Sequence, residues 1–129
     1  MQLTDDTSAE SARAPLPHSQ LIDMTTIGRH TGRSRRIEIV LHNFDARLYI
    51  SGMPNPARTR AWLHNLATDP RLTLHLKGSP VADLPATARI IDDEAERRAV
   101  FARLVQVWRG QKIEAMTRFS PLIEVTLTD

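Results

Sequence analysis

The chain turns on Thr25–Arg36, TTIGRHTGRSRR, in which Gly28 and Gly32 lie between two runs of strand-forming character. Four arginines, Arg29, Arg33, Arg35 and Arg36, crowd into eight positions. Charge this dense repels itself unless something anionic lies across it, and the planar arginine fork suits phosphate and carboxylate oxygens bound through two parallel hydrogen bonds. Glycine has no Cβ, so it permits positive φ and lets the backbone approach a ligand; loop N–H groups can then join the guanidinium groups. The stretch reads as an anion grip. A solvated basic hairpin tip accounts for the same residues, and local chemistry alone does not choose between the two.

The flanks set the fold around this loop. Upstream, Leu21–Thr26 is short, apolar and β-branched at its end, which predicts a strand feeding the loop. Downstream, Ile37, Ile39 and Leu41 alternate with Glu38, Val40 and His42, a period of two that gives one buried face. A turn around Asp45 and a return strand over Leu48–Ser51 complete a meander. Gly52–Pro56, GMPNP, breaks the strand. From Arg58 the period changes: Ala61, Trp62, Asn65 and Leu66 describe a helix of about three turns that Pro70 ends. Arg58 and Arg60 stand at its start, where free N–H groups and the dipole favour an anion. A pair of solvated arginines explains them equally well.

Leu72, Leu74 and Leu76 alternate with polar residues and predict a further strand. Gly78 and Pro80 interrupt it, and Pro85 limits the next segment to Ala86–Ile91. Asp92 is read as the N-cap of a helix with an acidic first turn and an apolar stripe of Val100, Phe101, Leu104, Val107 and Trp108. Gly110 stops that helix, a short helical piece follows over Lys112–Thr117, and Pro121–Leu127 closes the fold as a strand. Five or six strands in meanders with two main helices predict a mainly β, α+β domain: a small antiparallel barrel with helices outside it. Residues 1–18, rich in Ser, Ala, Asp and Pro, read as a flexible arm, and 19–129 as one domain.

Composition narrows the chemistry. Lys and Arg total 17 against 15 Asp and Glu, and a net charge of +2 with few aromatic residues does not suit a nucleic-acid binder. The absence of cysteine removes disulfides, thiolate catalysis and cysteine metal sites. No apolar run of about 18 residues occurs and the N-terminus has no secretory pattern, so the expectation is a cytoplasmic protein without a spanning helix. His18, His30, His42, His64 and His75 are scattered, with no metal-ligand spacing. His42 and His75 read as surface residues on polar strand faces, whereas His30 lies in the loop and can donate to a phosphate. Nucleophile elbow, Walker loop and dinucleotide fingerprint are all missing. Trp62 and Trp108 could stack on a ring, but both occupy positions that suit a helix core.

The order TTIGRHTGRSRR, YISG, AWLHNLATDPRLTLHL and ARIIDDEAERRAVFARLV resembles the deazaflavin (coenzyme F420)-dependent nitroreductase family of oxidoreductases, over residues 21–127. Its most specific parts are the TTxGRxxGxxR loop and the helix end carrying Trp62, Asn65, Leu66 and Pro70. The resemblance implies a split β-barrel, similar to that of flavin-binding pyridoxamine-phosphate-oxidase-like proteins, with F420 as a two-electron hydride carrier. It implies that Gly28, Arg29, His30, Thr31, Gly32, Arg33 and Arg35 grip the cofactor's phosphate and oligoglutamate tail, with Arg58 and Arg60 assisting. Met53, Trp62 and Trp108 would approach the ring or, for Trp108, the substrate. A hydride carried by the cofactor would explain the missing nucleophile and metal. His30 stands where the family has a lysine, Met53 where it often has a basic residue, and Trp108, Gln111 and Glu114 where nitroreductases place tyrosines. These departures favour a quinone or another electron-poor acceptor over a nitroimidazole. A barrel of this kind that binds FMN, haem or lipid without turnover is the alternative, and pairing into a homodimer is expected by analogy.

Overall fold

Strict alternation in the first strand sets the inside and outside of the molecule: Ile22, Met24 and Thr26 are buried, while Leu21, Asp23 and Thr25 face outward. The computed structural model describes residues 19–55, 60–78, 81–108 and 110–128; the predicted arm and Arg58 lie outside them. In chain order the elements are β1 (Ser19–Ile27), β2 (Ser34–Phe44), β3 (Arg47–Ser51), α1 (Ala61–Thr68), β4 (Arg71–Lys77), β5 (Val81–Ile90), α2 (Glu94–Val107), α3 (Ile113–Phe119) and β6 (Leu122–Leu127). The six strands close into an antiparallel barrel in the order β1-β2-β3-β6-β5-β4, with β1 pairing β4 at the seam. This is a split β-barrel with helices on its outside.

Register carries the inner face from strand to strand. Met24 opposes Ile37 and Ile22 opposes Ile39 across β1 and β2, while Met24 opposes Leu74 across β1 and β4. Leu41, Ile50, Leu74 and Ile123 fill the barrel, and Trp62 and Leu66 of α1 pack against this core. Burying each such aliphatic side chain stabilises the fold by about 1.5–3 kcal/mol relative to its exposure. A second core lies outside the barrel, where Phe44, Tyr49 and Leu122 are covered by Val100, Phe101 and Leu104 of α2 and by Met116 of α3. Arg97 holds these helices to the barrel: its guanidinium donates to the carbonyls of Thr117 and Ile91, each at 3.0 Å. The outer faces of β1 and β4 stay polar, with Lys77 reaching both Asp23 and Glu38.

Several boundaries differ from the sequence reading. Helix α1 spans eight residues instead of about three turns. The N-cap of α2 is Asp93, not Asp92: the Asp93 carboxylate accepts from the Glu96 N–H at 2.9 Å. Strand β5 runs straight through Pro85, where a break was expected. The Pro85 carbonyl accepts from the Thr128 N–H at 2.9 Å, so its imide nitrogen also faces the β6 side, at the end of that ladder beyond Ala86, and the bonds to β4 are kept. At the β2–β3 tip, Asp45 and Ala46 both have positive φ, 55° and 69°, which makes the two-residue turn whose twist matches a hairpin. His42 is not a surface residue. It is 2% exposed, because α2 covers the outer face of β2, and its ring lies 5.9 Å from that of Trp108.

Candidate functional site

The arginine stretch forms the β1–β2 connection, and its geometry follows from its glycines. Gly32 takes φ +72° and its N–H donates to the Gly28 carbonyl at 2.8 Å. Gly28 donates in turn to the Arg33 carbonyl at 2.8 Å, so close that a Cβ at Gly28 would stand 2.9 Å from that oxygen. The Arg33 N–H bonds the Thr31 hydroxyl at 3.2 Å. The loop therefore consumes the N–H groups of Gly28, Gly32 and Arg33 internally.

Asn65 fixes where the loop's side chains start. Its Oδ1 accepts from the Arg29 backbone N–H and from Arg29 Nη1, both at 3.1 Å, and its Nδ2 donates to Thr26 Oγ1 at 3.2 Å. Asn65 is buried and sits on α1, so one amide ties the loop to the helix and to the last turn of β1. Its role was invisible in the sequence except as part of a motif, since a helical Asn carries no signal of a partner 36 residues away.

Loop, helix and strand enclose an open cleft of about 570 Å³. Arg29, His30, Thr31, Arg35 and Arg36 line it with Asn65, and no carboxylate is among its lining residues. Register explains Arg35: it opposes Thr26, which points inward, whereas Arg36 opposes the outward Thr25 and pairs with Asp23 at 2.9 Å. Arg33 is exposed and does not line the cleft. Arg29, Arg33 and Arg35 form no ion pair among the described residues. Three uncompensated cations on one turn leave a positive rim.

The other predicted residues are more scattered. Arg60 lies over Gly52 and donates to the Met53 carbonyl, so it braces the end of β3. Met53 is 52% exposed, with Gln111 Nε2 at 3.5 Å from its sulfur. Trp62 is 8% exposed within the barrel core, which leaves no free indole face for a ring to stack on. Trp108 is half-buried and packs on the outer core beside His42, on the far side of β2 from the barrel interior. Burial alone depresses the His42 pKa to about 4, so the imidazole is neutral at physiological pH. Its Nδ1 meets Ser19 Oγ at 2.8 Å, and Nε2 has no partner among the described residues. No cluster of three metal-binding side chains occurs among the described residues, and no helix among them is long and apolar enough to cross a membrane.

The fold is thus a closed six-stranded split barrel whose first hairpin holds a cationic loop beside an open cleft. The sequence profile of F420H(2)-dependent quinone reductases matches residues 4–126, and the chain belongs to that family. It is accordingly an F420-dependent oxidoreductase, and coenzyme F420 is its cofactor. No curated protein matches the sequence. Among solved structures, the F420-H2 dependent reductase FDR-A is 21% identical with a TM-score of 0.63, over 82% of this chain and 93% of that one. HutZ, the heme storage protein from Vibrio cholerae, is 12% identical with a TM-score of 0.67, over 96% and 90%. A protein from Listeria innocua described as a candidate pyridoxamine 5′-phosphate oxidase is 10% identical with a TM-score of 0.61, over 96% and 94%. At these identities the likeness concerns the fold.

Proposed function

We propose that this chain binds reduced F420 through the loop cleft and passes a hydride to a quinone or another electron-poor small molecule. The observation that carries the reading is that Arg29, Arg33 and Arg35 have no acidic partner among the described residues, beside a cleft of about 570 Å³ with no carboxylate among its described lining residues. An oligoglutamate and phosphate handle is the kind of ligand such a rim takes up. Arg29, already positioned by Asn65, and Arg35 are the primary contacts. His30 and Thr31 add hydrogen bonds, Gly28 and Gly32 shape the loop, and Arg33 contributes at longer range. When bound, F420 supplies two electrons as a hydride. Met53, exposed just after β3, is the residue we assign to the ring side, and Trp62 anchors α1 to the barrel core. Trp108 supports the outer helices and is a weaker candidate for the substrate.

A quinone is favoured over a nitro compound by the family's description and by Trp108, Gln111 and Glu114 standing where nitroreductases carry tyrosines. A cytoplasmic location fits a protein that draws on a soluble cofactor. Pairing into a homodimer is supported by a neighbour of the same fold described as a domain-swapped dimer, and light scattering tests it. Fluorescence titration with F420 and with FMN, followed by oxidation of the reduced cofactor with menadione, tests the function. Saturable F420 binding with menadione-dependent turnover is expected. Binding of FMN with no affinity for F420 would favour the alternative of a differently loaded barrel.

A further inference from the structure

On the outer face of the barrel, next to the root of the arginine loop where Thr25 opposes Arg36, three adjacent strands bring together a hydroxyl, an imidazole and a carboxylate. Thr25 Oγ1 on β1 lies 2.7 Å from His75 Nε2 on β4, and His75 Nδ1 lies 2.8 Å from Asp83 Oδ1 on β5. Register makes the arrangement: Asp23 opposes His75 on β1, and His75 opposes Asp83. With the ring in its neutral form, the carboxylate sets the direction of these bonds. A carboxylate only accepts, so Nδ1 of the neutral ring carries the proton; Nε2 is then the acceptor, and the Thr25 hydroxyl donates to it. A hydroxyl donating to an imidazole that a carboxylate orients is the geometry of an activated nucleophile. The His75 side chain is 12% exposed, so packing holds the ring in place.

A cleft of about 480 Å³ opens at Thr25, walled by Ile27, Leu72, Pro85 and Ala86, with Arg71 on its lining. Arg71 is bound to Asp69 through Nε and Nη2, which leaves Nη1 outside that pair. Apolar walls, a nucleophile on one side and a guanidinium on the lining suit an ester with a short acyl group. We propose that Thr25, His75 and Asp83 form a second, hydrolytic site that transfers small acyl groups from esters to water. In the first step Thr25 Oγ1 bonds to the acyl carbon, its proton passes to His75 Nε2, and the ester C–O bond breaks as the departing alkoxide takes that proton. In the second, His75 takes a proton from water, whose oxygen attacks the acyl-threonine; the carboxylic acid leaves and the Thr25 hydroxyl is restored. Asp83 would stabilise the imidazolium between these transfers, and Arg71, on the cleft lining, is the cation available to the developing oxyanion. No oxidant or cofactor is needed.

The test uses the whole protein without F420, with p-nitrophenyl acetate and butyrate as probes. Release of p-nitrophenol should begin with a burst, and mass spectrometry of acid-quenched protein should find one acetyl group on the peptide containing Thr25. Thr25→Val and His75→Gln should lower the rate at least about tenfold, Asp83→Asn by less, and Thr25→Ser should keep the burst. Because acylation of Thr25 is read directly, a purely structural hydrogen-bond ladder would not produce it. Wild-type protein that shows no adduct on that peptide, or acetyl groups on lysine alone, would overturn the proposal. So would a Thr25→Val variant that folds, as judged by circular dichroism, and hydrolyses at the wild-type rate.

Discussion

Asn65 Oδ1 accepts two hydrogen bonds from Arg29, one from the backbone N–H and one from the guanidinium, both at 3.1 Å. A neutral, buried amide thus positions a cation without neutralising it. An acidic residue at that place would hold Arg29 as firmly but cancel the charge the cleft presents.

Replacing Asn65 removes three hydrogen bonds at once. Asn65→Leu leaves the Arg29 N–H without its partner and should cost about 1–3 kcal/mol in urea unfolding. It should also weaken F420 binding, since Arg29 no longer starts from a fixed place. A variant as stable as wild type would show that the bridge carries no strength.

The two loop glycines should answer differently to one methyl group. Gly32→Ala meets nothing within 4 Å, so its cost is that of positive φ alone, about 1 kcal/mol. Gly28→Ala drives its Cβ to 2.9 Å from the Arg33 carbonyl and must open the loop. Thermal melts should rank Gly28→Ala below Gly32→Ala; the reverse order would contradict the loop geometry.

His42 should make the fold acid-sensitive. Its folded pKa is depressed to about 4 from an ordinary 6.5, so below pH 6.5 the unfolded chain binds a proton that the native protein refuses. Stability is therefore lost as pH falls from about 6.5 toward 4, by ~3 kcal/mol in all. His42→Phe should flatten the dependence between pH 7 and 5, measured by denaturant unfolding. An unchanged slope would show that the ring is not the group responsible.

The α2 cap offers a neighbouring pair as its own control. Asp93→Ala should cost about 1 kcal/mol by removing the acceptor of the Glu96 N–H, whereas Asp92→Ala should cost only a few tenths. Equal effects would argue against the observed cap.

The strands were legible where burial obeys a period of two, as in Ile37–Leu41 and Leu72–Leu76, because one covered face leaves a plain imprint on composition. Pro85 misled because the side of the strand its nitrogen faces is a tertiary fact. His42 misled for a related reason: its alternation was read as polar, but a helix more than 50 residues later covers that face. At the candidate site the loop and its cations were visible from spacing, while Asn65, Arg36's diversion to Asp23 and the exclusion of Arg33 from the cleft depend on cross-strand register. The aromatic candidates failed to converge, since Trp62 and Trp108 serve two separate cores.

The central claim is that guanidinium groups lining the loop cleft hold the acidic handle of F420. Its most direct test is the F420 dissociation constant of wild type, Arg35→Ala and Arg33→Ala, each measured at low and high salt. Arg35→Ala should weaken binding about tenfold, ~1.4 kcal/mol, with the larger loss at low salt, and Arg33→Ala should do less. Equal affinity in Arg35→Ala and wild type at low salt would contradict the account.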